Sequence, residues 1–381
     1  MIQTLYESEH EIYRQSLRKF LANEVEPNIE AWEAQRSTPR DIWLKFGEQG
    51  FLCPWVDEQY GGLGLGFEYA VIFAEEFGRA RANAPMISLH SDIIVPYLAT
   101  FGTHEQKSKW LPGCVSGEII TALAMTEPGT GSDLQAVRTT AVVEGDDYLI
   151  NGAKTFISNG CSCDLVIVVC KTDPAARPAY KGMSLIVVEA DAPGFKRGRK
   201  LNKMGNHSQD TSELFFDDCR VPRANLLGEE GGAFKALMQK LQQERIVAAL
   251  QSQAYAEIIV EDAVEYCKDR KVFGKQVSEF QHNAFKIAEM ATEVELGKVF
   301  LRQLCHDHCG KKNVVKQASM AKYWVCEMAN RVAYDALQLY GGYGYMEEYP
   351  IARMYRDLRT HTIYAGTTEI MKTIIAREMG I

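Results

Sequence analysis

The chain has 381 residues, 46% of them hydrophobic and 24% charged, which is enough apolar material for a sizeable core and excludes a disordered tail. Asp and Glu outnumber Lys and Arg by 50 to 42, the formal charge is −8, and no basic block is present, so nucleic acid is excluded as a partner. No apolar run approaches the roughly 18 to 20 residues of a membrane span, and the opening stretch MIQTLYESEHEIYRQ lacks the basic-then-apolar pattern of a secretory signal, so a soluble intracellular protein is expected.

Three regions follow one another. Residues 1–119 read as a helical domain, because Tyr13, Leu17, Phe20 and Leu21 recur at three- and four-residue spacing with polar residues on the other face. Gly61, Gly62, Gly64 and Gly66 interrupt it with a flexible turn. Across residues 120–230 the period shortens to brief runs rich in β-branched and aromatic residues, such as Leu165-Val166-Ile167-Val168-Val169 and Leu185-Ile186-Val187-Val188. Asn151-Gly152 between two runs signals a hairpin. The middle region therefore reads as an antiparallel β-barrel or sandwich with no alternation of strand and helix. Helix returns at residues 231–381, where Ala321, Trp324, Met328 and Val332 mark one apolar face and Gly274, Gly310 and Gly341-Gly342 punctuate a helical bundle. The fold class is α+β and multidomain.

Absent motifs narrow the chemistry. The sequence carries neither the glycine fingerprint of a Rossmann dinucleotide site, nor a P-loop, nor a nucleophile elbow. Cys305-His306-Asp307-His308-Cys309 crowds its donors too tightly for tetrahedral zinc and reads as a polar helix end, so no metal is expected. The ten cysteines lack the dense spacing of a secreted scaffold and fit a reducing compartment, with Cys161 and Cys163 as packing residues.

Five stretches carry more specific information. MTEPGTGSD at 125–133 opens the β region and KTFISNG follows at 154–160; DRKVFGKQVSEFQ lies at 269–281, QLYGGYGYMEEYPIARMYRD at 338–357 and IYAGTTEIMKTIIARE at 363–378. Taken in this order, and with VDEQYGGLG near the N-terminus, they resemble the acyl-CoA dehydrogenase family almost end to end. The resemblance implies the family's fold, FAD as cofactor and an acyl-CoA substrate.

It also implies roles residue by residue. Met125, Thr126 and Ser132 would line the isoalloxazine or the diphosphate, with Ser132 also at the substrate, and Phe156 and Ser158 would lie against the flavin ring. Arg270, Phe273 and Gln281, with Gln338 and Gly342, would reach the FAD of a neighbouring subunit, while Thr367 and Glu369 would cap the site. A glycine-rich loop rich in hydroxyls and backbone N–H groups suits a flavin diphosphate on physical grounds as well.

The catalytic base is where the sequence departs from many members of that family. They place a glutamate directly before Gly-Thr, where this chain has Ala365. In the family a subset that includes long-chain and isovaleryl-CoA dehydrogenases carries it on the first long helix of the C-terminal domain, and the stretch that resembles it here, LMQKLQQERIVAA, contains Glu244. Register gives an independent reason to single this residue out: Leu237, Leu241 and Ala248 stack in its row, so a carboxylate sits in an otherwise apolar stripe and is expected to be partly buried with a raised pKa.

The resemblance assigns α-proton removal to Glu244 and polarisation of the thioester carbonyl to the backbone N–H of Ala365, with Gly366 beside the substrate. Arg245 would contact the pantetheine and diphosphate of CoA. The wording QQERIVAA, ASMAKYW and TTEIMKTIIARE points to a medium-to-long or branched acyl chain. Also implied are an electron-transferring flavoprotein as acceptor, a homotetramer or at least a dimer, and a bacterial cytoplasm or, for a processed chain, the mitochondrial matrix. The alternatives are an acyl-CoA oxidase, a flavin relative that no longer dehydrogenates, and a non-catalytic acyl-CoA-binding protein.

Overall fold

The computed structural model describes residues 6–381, so the first five residues of the opening stretch lie outside it. Among the described residues of the N-terminal region are six α-helices: α1 (Ser8–Glu24), α2 (Ile29–Gln35), α3 (Asp41–Glu48), α4 (Glu68–Arg79), α5 (Val95–Phe101) and α6 (His104–Ser116). Leu17 and Leu21, from the stripe that predicted α1, are buried with Trp43, Phe46 and Phe73. The start of α6 is fixed by a reciprocal cap in which the Thr103 side chain accepts from the Gln106 N–H and the Gln106 side chain accepts from the Thr103 N–H. Of the glycines at 61–66, Gly62 is buried while Gly61, Gly64 and Gly66 are exposed. Gly62 is pressed against the Val56 carbonyl, which an added Cβ would meet at 1.9 Å, and Gly64 N–H donates to that same oxygen.

The middle region is an eight-stranded sheet comprising β1 (Thr121–Ala124), β2 (Thr140–Glu144), β3 (Asp147–Ser158), β4 (Leu165–Lys171), β5 (Met183–Glu189), β6 (Phe195–Lys200), β7 (Thr211–Pro222) and β8 (Leu226–Leu227). Its order is β6-β7-β3-β2-β4-β5-β8, with β1 added alongside β4. Pairing is antiparallel except where β4 meets β1 and β2, which run parallel to it. Strands β4 and β5 lack polar alternation because both faces are covered. Leu165, Ile167, Val169, Leu185 and Val187 face a core shared with α5, α6 and the helix that follows the sheet, while Val166, Val168, Ile186 and Val188 face the interior of the β domain.

The hairpin expected at Asn151-Gly152 is not there. The chain turns directly after β2, at Gly145-Asp146, and β3 runs straight through 151–152 with a bulge in its pairing to β7. Gly152 serves close approach instead, since a Cβ there would meet the Thr139 Cα at 2.8 Å.

The C-terminal region holds α7 (Ala233–Asp269), a small β9–β10 hairpin (Lys271–Val272 and Lys275–Gln276), α8 (Gln281–Cys309), α9 (Val315–Tyr340), α10 (Pro350–Leu358) and α11 (Thr368–Glu378). Ile246, Leu250 and Ile259 of α7 pack with Leu301 and Leu304 of α8 and with Val325, Met328 and Val332 of α9. The Cys305–Cys309 stretch is the last turn of α8, where Asp307 pairs with Lys312 at 2.7 Å. Among the described residues no helix is long and apolar enough to cross a membrane.

Beyond the shared core, two of the contacts that join the regions are specific. The buried Asp357 of α10 accepts from the Asn206 backbone N–H and the Asn83 amide, tying the three regions at one point. Helix α4 lies directly on α7, and a Cβ on Gly78 would come within 2.3 Å of the Ala254 Cβ. Gly78→Ala is expected to force the two helices apart and cost about 1–3 kcal/mol, read as a fall in the thermal unfolding midpoint. An unchanged midpoint would show that this contact has slack.

Candidate active site

The loop after β1 is built around a buried ion pair. Glu127 accepts from the Arg138 and Thr139 backbone N–H groups and from the Thr139 hydroxyl, and Lys154 of β3 reaches it at 2.9 Å while also donating to the carbonyls of Met125 (3.0 Å) and Val169 (2.7 Å). The Thr155 N–H closes the junction onto the Thr126 carbonyl at 3.0 Å. Met125 and Thr126, both half-buried, are thereby fixed against β3, and Ser132 lies exposed farther along the loop. Between Lys154 and Ile157 the β3–β7 register slips by a residue. The bulge leaves Phe156 with a left-handed backbone (φ 60°) and a ring 68% exposed, close to a half-buried Ser158.

The second cluster lies on α7. Glu244 is 8% exposed, in the same row as the buried Leu237, Leu241 and Ala248, and its Oε2 has no hydrogen-bond partner among the described residues. Desolvation raises its pKa to about 7, against the pull of the Arg245 and Lys322 charges. Arg245 is itself buried, beside Glu244 and the Tyr97 phenol, and its Nε too has no partner among the described residues. Such burial sets the guanidinium inside the protein, beside the base.

Ala365 and Gly366 form a turn with two successive left-handed residues (φ 54° and 92°), and the Thr367 side chain caps α11 immediately after it. Lys322 of α9 donates to the Gly366 carbonyl and feels the Glu244 charge, as Tyr364 does. The structure therefore brings Glu244 and the Ala365–Gly366 turn to the same neighbours.

A third group stands apart on the surface. Phe273, at the tip of the β9–β10 hairpin, is 96% exposed, and Arg270, Gln281, Gln338 and Gly342 lie at or near the surface too. Arg270 lies over the Tyr343 ring at 5.2 Å. Thr367 and Glu369 line a groove of about 790 Å³ together with Asn330, Arg331 and Arg359.

Three family models cover the chain in order: acyl-CoA dehydrogenase N-terminal domain at residues 7–118, middle domain at 122–219 and C-terminal domain at 231–380. The chain belongs to the acyl-CoA dehydrogenase family. It is 46% identical to the long-chain specific acyl-CoA dehydrogenase, mitochondrial, of Sus scrofa over 378 residues, covering 99% of this chain and 88% of that protein. It is 38% identical to an acyl-CoA dehydrogenase of Bacillus subtilis (strain 168) over 370 residues, covering 97% of each. The crystal structure of acyl-CoA dehydrogenase from Geobacillus kaustophilus superposes with a TM-score of 0.98 at 55% identity, over 99% of both chains.

As an acyl-CoA dehydrogenase the chain is an FAD-dependent oxidoreductase, and its residues suit that cofactor. Around Gly129 and Gly131 nothing lies within 4 Å of where a Cβ would be, so the backbone of the loop is open to close approach, and the exposed Phe156 ring offers a flat apolar face beside it. Sequence reasoning does not find Glu127, Lys154 or Lys322. Lys154 and Lys322 lie inside the motifs KTFISNG and ASMAKYW, but residue type alone favours solvent for a lysine.

Proposed function

We propose that this acyl-CoA dehydrogenase converts a saturated acyl-CoA to the trans-2-enoyl-CoA with Glu244 as the base that takes the α-proton. The observation that carries this reading is the buried Glu244 carboxyl, whose Oε2 has no hydrogen-bond partner among the described residues and whose pKa, raised to about 7, leaves it able to accept a proton at neutral pH. The backbone N–H of Ala365 donates to the thioester oxygen, so charge developing there as the proton leaves is stabilised by a donor already in place. Two tasks that many relatives give to one residue are thus divided between Glu244 and Ala365. Bound FAD supplies the acceptor for the β-hydrogen as hydride. Arg245, buried beside Glu244, steadies the ionised carboxylate, and Gly366 keeps the turn narrow beside the substrate.

Met125, Thr126, Ser132, Phe156 and Ser158 hold the cofactor in this reading. Arg270, Phe273, Gln281, Gln338 and Gly342 serve a neighbouring subunit's cofactor, with Thr367 and Glu369 at the rim. Support for an assembly, proposed as a tetramer, comes from the 96% exposed Phe273 and from Phe285, Leu296 and Val299 exposed along α8. Functional domains are proposed at 1–119, 120–230 and 231–381. Electron-transferring flavoprotein is the proposed acceptor, and a bacterial cytoplasm the proposed location, as similarity to the Bacillus subtilis relative supports.

A methyl group at position 365 leaves room beside Cα and Cβ, which suits a medium-to-long or branched chain, in line with the likeness to the long-chain enzyme of Sus scrofa. The test is anaerobic bleaching of the yellow protein by a series of straight and branched saturated acyl-CoAs. The highest kcat/KM is expected at medium-to-long or branched chains, and a maximum at short straight chains would overturn the substrate assignment.

A further inference from the structure

Lys322 is the charged side chain for which this mechanism has no use. It is fully buried on α9, and a lysine rarely gives up water unless something holds it. Two things do: its Nζ donates to the Gly366 carbonyl, and it lies 5.9 Å from the centre of the Tyr364 ring. The charged and titratable groups around it are Cys326 on its own helix, Glu244 and Arg245 on α7, Glu369 at the start of α11, and His361 before the turn. His361 adds no positive charge at neutral pH, since burial, with the Lys322 charge, holds its pKa at about 3, and its Nδ1 meets the Ser252 hydroxyl at 2.8 Å.

The atom that Lys322 grips belongs to the turn carrying Ala365. An alanine at φ 54° followed by a glycine at φ 92° is a conformation that L-residues avoid, and it persists only where neighbours enforce it. The cap by Thr367 secures the turn on its α11 side. Without the lysine the Gly366 carbonyl would be free to rotate, and the direction of the Ala365 N–H would relax with it.

Building on the assignment of Glu244 and Ala365, we propose that Lys322 is a positioning residue that locks the Ala365–Gly366 turn so that the Ala365 N–H meets the thioester oxygen, and that sets its positive charge against the Glu244 carboxylate. Both effects serve proton removal: one polarises the carbonyl, the other keeps the base ionised before substrate arrives.

The test compares Lys322→Met, Lys322→Gln and Lys322→Arg in the FAD-loaded enzyme. A conjugated arylacryloyl-CoA, whose absorption moves to the red when its thioester carbonyl is polarised, reports the Ala365 N–H without turnover. Lys322→Met should lose at least about half of the parental red shift, and Lys322→Gln, which keeps a donor but no charge, should lose less. In the pH profile of flavin reduction, both neutral variants should move the rising limb up by about one unit, while Lys322→Arg stays near the parent. In Lys322→Met kcat should fall about tenfold with little change in KM.

A yellow, folded Lys322→Met with the parental red shift and pH profile would reduce Lys322 to a packing residue. Should that variant not accumulate, the contrast of Lys322→Gln with Lys322→Arg decides on the same two readouts. Absence of a red shift in the parent would refute the Ala365 assignment itself, and a parental rate in Glu244→Gln would refute the base. Either is thereby distinguished from a failure of Lys322 alone.

Discussion

Glu244→Gln is expected to slow flavin reduction by acyl-CoA severely while leaving the protein yellow and able to bind substrate. The amide has nearly the same shape but cannot take a proton, and a positioned general base contributes about 10²–10⁴-fold, so a loss at the upper end of that range is expected in anaerobic stopped-flow traces. The pH dependence follows from the raised pKa of the carboxyl. Below about 7 the buried group is mostly protonated and cannot act, and above it the carboxylate is available. In the parent, kcat/KM therefore rises with pH through a midpoint near 7, and that limb disappears in Glu244→Gln. A rising limb near the ordinary carboxylate value of 4.5 would mean that the group is solvated in the working enzyme and that burial has no part in its chemistry.

Lys154→Met is expected to be the most destabilising single change at the cofactor loop, by about 3–5 kcal/mol, because it leaves the Glu127 carboxylate buried without its cation. The lysine is fully buried, and it joins Glu127 to the carbonyls of Met125 and Val169. Burial alone would raise the Glu127 pKa, but the Thr139 hydroxyl, the Lys154 charge and two backbone N–H groups together hold it below 4.5. The sign of the pH effect follows. Stability from this group is present above the unfolded value and is lost as pH falls through the lowered folded one. Lys154→Met should weaken that acid-side dependence, lower the unfolding midpoint and release FAD more readily during purification. Adding Glu127→Gln should recover part of the loss, since the orphaned charge disappears with it. Equal stability of Lys154→Met and the parent would show that the loop is held by its backbone hydrogen bonds alone.

Much of this protein is legible in its residues, for identifiable reasons. The helices follow from periodicity because each presents one face to a core: Leu17 and Leu21 in α1, and Ala321, Met328 and Val332 in α9, are all buried. The same logic draws notice to Glu244, a carboxylate in an apolar row, but the family resemblance and the alanine at 365 are what single it out. Local chemistry is less decisive where tertiary contact chooses between two readings. Asn151-Gly152 is a strong turn signal, yet Gly145-Asp146 makes the turn, because Gly152 is needed for close approach to Thr139. Parallel pairing of β1 with β4 joins segments distant in the chain, and nothing in either run announces it.

Left-handed backbones at Phe156, Phe273 and Ala365 are hidden from the sequence for a related reason. Propensity disfavours φ above zero for all three, and only a bulge, a hairpin tip or a held turn imposes it. Buried lysines are the hardest of all. Lys154 and Lys322 are identified by their partners, a carboxylate and a carbonyl distant in sequence, and not by any feature of their own neighbourhoods.

The central claim is that Glu244 takes the proton next to the thioester, and the most direct measurement follows that proton without requiring hydride transfer. An acyl-CoA analogue with sulfur in place of the β-carbon has no hydrogen there to give up, so incubating it with the enzyme in D₂O and following α-hydrogen exchange by mass spectrometry isolates the first step. The parent should exchange the α-hydrogen with a rate that rises through pH 7, and Glu244→Gln should leave it in place. Exchange by Glu244→Gln at the parental rate would show that another group is the base.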